Sequence, residues 1–147
     1  LVISGKDFPS MIQDDQIVSV ISRECEIMTE TVKSMPITGT PAEQARAVQD
    51  QDKAISNMLV EIRKVDDGVR SADPPTNDWL KDWDALIDAR EAFAEQRANG
   101  YEADLRIPRA ENGDAIEKRM DEVWLTDQAC EVPDKLLNPY PEDISAT

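Results

Sequence analysis

The chain is expected to be all-α, because apolar residues recur at steps of three and four over long stretches, helix-start signals precede those stretches, and tandem prolines and Asn-Gly pairs fall between them. Together these predict a single domain over residues 1–147. The expected architecture is an antiparallel four-helix bundle with a long first hairpin and an extended C-terminal tail, residues 1–9 and 134–147 being extended or poorly ordered.

The first helix is expected between Ser10 and Ser34, where Ile17, Ile21, Cys25, Met28, Val32 and Met35 draw one stripe and Pro36 ends the segment. Thr40-Pro41-Ala42-Glu43 then reads as a capping box with proline at the first helical position. Behind it Ala45, Val48, Ile55, Leu59 and Ile62 continue the period, interrupted by Asp52. A helix of this length would reach roughly 45 Å.

Pro74-Pro75 breaks the chain again, and Thr76 or Asn77 is the expected cap of a third helix. Its stripe runs through Trp79, Trp83, Leu86, Arg90, Phe93 and Arg97 to a stop at Asn99-Gly100. Trp83 is expected in the core, and Trp79, close to the cap, is expected to be partly exposed. Tyr101 to Pro108 reads as a short extended segment, followed by a turn at Asn112-Gly113. Asp114 and Glu117 have the spacing of a second capping box, for a fourth helix presenting Ile116, Met120, Val123 and, further on, Asp127 and Cys130.

Composition narrows the function. With 31 acidic against 16 basic residues the net charge is -15, which repels phosphate backbones and anionic lipid, so nucleic acid is not an expected partner. Apolar runs are a few residues long, far short of the roughly 20 that span a bilayer, so direct membrane insertion is not expected either. There is no histidine, which removes the commonest general base and the triads built on it. Paired acids such as Asp84 and Asp88 read as a solvated face, and the short Asp-Gly and Asn-Gly stretches are too brief for a calcium loop. No metal, no cofactor and no catalytic residue is expected.

Cys25 and Cys130 lie outside any Cys-x-x-Cys pair, leaving either a disulfide across the fold or two buried thiols. The disulfide is the favoured reading, and it carries a compartment with it, since such bonds persist outside the cytosol. Closing so long a loop is worth at most about 5 kcal/mol.

Arg90 stands where its stripe calls for an apolar side chain, so its guanidinium must be paired, stacked or extended to water. A structural arginine bridging to an acid is the simpler reading. A ligand-binding one would place a pocket around it.

Trp79-x-x-x-Trp83-x-x-Leu86-Ile87-x-x-Arg90, Phe93-Ala94 and Gly100, followed by Ile116-x-x-Arg119-Met120-Asp121 and Cys130-x-Val132-Pro133, resemble a type of actinobacterial cell-envelope protein of unknown function. Such proteins have an N-terminal membrane anchor and a helical extracytoplasmic domain. The resemblance spans residues 79–133 and implies a location outside the membrane, with Leu1 to Ile3 following a removed anchor.

The expected function is accordingly that of a noncatalytic extracytoplasmic domain, membrane-anchored or secreted, that binds a protein or cell-wall partner at an exposed apolar patch beside Trp79, Tyr101 or the proline-rich tail. The alternative expectation is a small-molecule binder or carboxylate-based enzyme with its pocket at Arg90.

Overall fold

The computed structural model describes residues 11–124 and 128–141. The expectations for Leu1 to Ile3, for the N-terminal stretch 1–9, for Asp127 and for 142–147 lie outside these residues. Among the described residues the chain is helical throughout, with α1 at Asp15–Lys33, α2 at Pro41–Arg63, α3 at Asp67–Ser71, α4 at Pro75–Ala98, α5 at Ile116–Asp121 and α6 at Asp134–Leu137. Among the described residues, extended pairing is confined to isolated bridges, Ile12 with Trp124 and Arg109 with Ala115.

All-α is therefore correct, but the four-helix bundle gives way to three long helices and three short ones. α2 packs against α1 and, more extensively, against α4. The fourth long helix does not form. Asp114 is not its cap, because the chain is still turning there: Ala110 N–H donates to the Asp114 carbonyl, Asp114 N–H donates to Asn112 Oδ1, and Ile116 N–H donates to the Pro108 carbonyl. The Asp114 carboxylate accepts instead from Asn112 Nδ2 and Lys118 Nζ. Only from Ile116 does the backbone turn helical, for six residues, without a side-chain cap.

The long helices follow their local chemistry. At α1, Asp14 Oδ1 accepts from Ile17 N–H, and Ile17, Ile21, Cys25, Met28 and Val32 are the buried stripe. At α2 the capping box forms in both directions, between Thr40 Oγ1 and Glu43 N–H and between Glu43 Oε1 and Thr40 N–H. The Thr40 backbone N–H, followed by its hydroxyl, holds the Glu43 carboxyl below its ordinary range. Gly39, at φ +85°, lies so close to that carboxylate that an added Cβ would meet it at 2.9 Å.

α4 begins earlier than Thr76 or Asn77, with Pro75 in its first turn and Pro74 at the cap position, since proline's fixed φ already suits a helix start. Thr76 is consequently buried inside the helix. Asp73, just upstream, is buried too, and its Oδ2 accepts both the Gln13 and Asp14 N–H groups at 2.9 Å, tying the entry of α1 to the entry of α4.

The tail is not merely extended. α6 inserts Leu136 into the core with no exposed surface, and Tyr140 packs edge-on against Phe93 with ring centres 5.5 Å apart while its hydroxyl accepts the Leu105 N–H.

Two apolar clusters result. The larger holds the α1 stripe, the C-terminal half of α2, Trp79 to Leu86, Met120, Trp124, Cys130 and Leu136. The smaller holds Ile37, Ala45, Val48, Phe93 and Ala94.

Candidate functional site

Cys25 and Cys130 form a disulfide, with Cα atoms 5.6 Å apart and both residues nearly buried. Cys25 is carried by the α1 stripe. Cys130 is carried by a nonhelical strap, Cys130 to Pro133, that is bonded to α1 through the disulfide and leads into α6. Trp124 Nε1 donates to the Cys130 carbonyl at 3.0 Å and Val132 N–H donates to Asp121 Oδ1 at 2.9 Å, so the strap is pinned at both ends.

Between strap and helix runs an open groove of about 510 Å³, within the roughly 300–1,000 Å³ common for binding sites. At its floor lie the buried residues Cys25, Val32, Cys130 and Val132, each with only a sliver of surface. Ser22, Glu26, Thr29 and Lys33 rise along α1 on one side at steps of four and three, and Glu131, Pro133, Asp134 and Lys135 stand on the other. A second trough, about 580 Å³ and more polar, is lined by Pro74, Pro75, Asp82 and Arg119. There Arg119 grips Asp82 through two hydrogen bonds of 2.8 and 2.7 Å, locking α5 to α4.

The residues singled out from sequence separate in space. Arg90 is fully buried. Its Nε donates to Asp52 Oδ1, its Nη1 to the Leu136 carbonyl and its Nη2 to Gln51 Oε1, each at 2.6 Å. Gln51 Nε2 passes the network on to the Met35 carbonyl at 2.8 Å. This is the structural arginine of the simpler reading. Arg90 itself presents nothing to a ligand, because every guanidinium nitrogen is engaged by protein and the residue has no exposed surface.

Burial pushes the Asp52 carboxyl up to about 7, against the pull of the Arg90 guanidinium. Gln51 and Asp52 were the members missing from the sequence reading. The signal was present, since Asp52 interrupts the stripe of α2 as Arg90 interrupts that of α4, and opposite charges at two core positions call for each other.

Trp79 is not partly exposed. At 1% exposure it is core, standing edge-on to Trp83 at 6.0 Å and to Trp124 at 5.5 Å. Trp124 covers it, brought there by the bridge to Ile12 rather than by anything local to α4. Tyr101, just past α4, is 66% exposed, and its backbone carbonyl accepts from Arg97 Nη1. A groove lies over the disulfide instead of beside Trp79 or Tyr101, and Val132 and Pro133 at the start of the proline-rich tail are in its lining.

Compared with known protein families, curated proteins and solved structures, the chain matches none. The disulfide is of the kind that belongs to an oxidising, extracytoplasmic environment. Among the described residues no helix is long and apolar enough to cross a membrane.

Proposed function

We propose that the chain is a noncatalytic extracytoplasmic domain, secreted or membrane-anchored, that binds a protein or cell-wall partner in the groove between α1 and the strap. The observation that carries this reading is the groove itself, an open trough with an apolar floor whose two walls are cross-linked by Cys25–Cys130. A cross-link there holds the walls in place before a partner arrives, which reduces the ordering cost of binding. A noncatalytic role is supported by the lack of histidine and by the engagement of the buried acid Asp52 with Arg90.

A photo-crosslinking side chain placed at Ser22, on the exposed rim, tests the reading in the native envelope. A discrete adduct from Ser22, and none from the same group at Gln49 on α2, is the expected result. Adducts of equal yield from both positions, or from neither, would refute it.

A further inference from the structure

The groove's walls differ in charge from its floor, and the difference has a sign. Glu26 and Glu30 stand on the α1 side and Glu131 and Asp134 on the strap side, against Lys33 and Lys135. Lys33 is already within 3.6 Å of Glu30. Among the described residues neither Glu26 nor Glu131 is in an ion pair, and both line the groove, one from α1 and one from the strap.

We propose that the groove accepts a basic segment of a protein partner, an apolar side chain seated over Val32 and Val132 and flanked by lysine or arginine residues that meet Glu26 and Glu131. This rests on the partner-binding reading above and names the partner's chemistry. The apolar floor supplies burial, and the two acids supply the complementarity that fixes register and speeds encounter. An anionic wall polymer is the wrong occupant, since four carboxylates would meet it. The surrounding field has the same sign: the Asp121 carboxyl beneath the strap is pushed up to about 6 by burial, and Glu131, Glu117 and Asp134 add to that rise.

The test is a titration of the isotope-labelled, oxidised chain with acetyl-Lys-Leu-Lys-Leu-Lys-amide, followed through backbone amide shifts. Expected are shifts confined to Ser22–Lys33 and Ala129–Lys135, and affinity reduced about tenfold by the double reversal Glu26→Lys with Glu131→Lys. A matched reversal away from the groove, Asp88→Lys with Glu102→Lys, should leave affinity within about twofold, which separates the groove from the chain's overall charge. The acetyl-Glu-Leu-Glu-Leu-Glu-amide peptide should not bind.

Shifts scattered over the surface, equal binding of both peptides, equal loss in both reversals, or no binding at all would overturn the basic-segment proposal. The crosslink at Ser22 then tells the two readings apart. An adduct there without peptide binding removes only the partner chemistry, and failure of both removes the groove as a site.

Discussion

Arg90 Nε and Asp52 Oδ1 meet at 2.6 Å on a level where the apolar core of this protein is interrupted. On α2, Ala45 and Val48 below Asp52 belong to the smaller cluster, and Ala54 to Ile62 above it belong to the larger. On α4, Trp79 to Leu86 and Phe93 to Ala94 divide in the same way about Arg90. The ion pair is thus a polar layer between two clusters, and it reaches α6 through the Leu136 carbonyl and the α1–α2 connection through Gln51.

Breaking that layer from one side should be severe. At about pH 8, where Asp52 is ionised, Arg90→Ala or Asp52→Ala leaves a buried partner without its counter-charge, and a loss of about 3–5 kcal/mol in urea unfolding is expected. Replacing both by apolar residues of similar volume, Arg90→Met with Asp52→Leu, should cost much less than the sum of the single losses. Additive single losses would mean that the pair is not coupled as its geometry requires.

Asp52 and Asp121 should together make stability fall as pH rises from about 4 to 7, opposite to the contribution of a lowered carboxyl such as Glu43. Asp52 at about 7 and Asp121 at about 6 are both raised above their unfolded values near 4, so in this window the folded chain holds more protons than the unfolded one. Above about pH 8 the contribution is lost and the curve flattens. A melting temperature lower at pH 7.5 than at pH 4.5, by several degrees on the order of 5 °C, is the expected reading. Asp121→Asn, which keeps an acceptor for the Val132 N–H, should flatten the lower part of the slope. A melting temperature that rises across the window would contradict these assignments.

The two capping-box sequences should respond differently to the same substitution. Thr40→Ala removes a hydroxyl that accepts the Glu43 N–H, and a loss of about 1 kcal/mol is expected in chemical unfolding. Asp114→Ala touches only exposed partners and should cost less than about 0.5 kcal/mol. Equal losses would place a cap at Asp114 after all.

That contrast shows what was legible in the sequence. The α1 stripe, the Thr40 start and the stop at Gly100 follow from neighbours within a turn or two, and each formed where its residues called for it. Asp114 has the same local spacing as Thr40, but the turn at Asn112-Gly113 and the bridge from Arg109 to Ala115 hold its backbone out of the helix. The burial of Trp79 depends on Trp124, forty-five positions on, and α6 is anchored by Leu136 beneath the Arg90 layer. Contacts of that kind have no local pattern. The groove was invisible for the same reason, since its second wall is a nonhelical strap that the sequence placed on the fourth helix and in the tail.

The cross-link joining that strap to α1 is the feature on which fold, compartment and site all depend. Cys25→Ala with Cys130→Ala should cost roughly 2–5 kcal/mol and loosen the strap first, seen as faster amide exchange at Val132 than at Ile55. More direct still is the intact mass of the protein taken from its native compartment, unfolded in denaturant with an alkylating reagent and without reductant. The account predicts no added label until reductant is supplied and two labels thereafter. Two labels before reduction would contradict it, leaving Cys25 and Cys130 as buried thiols and the groove without its brace.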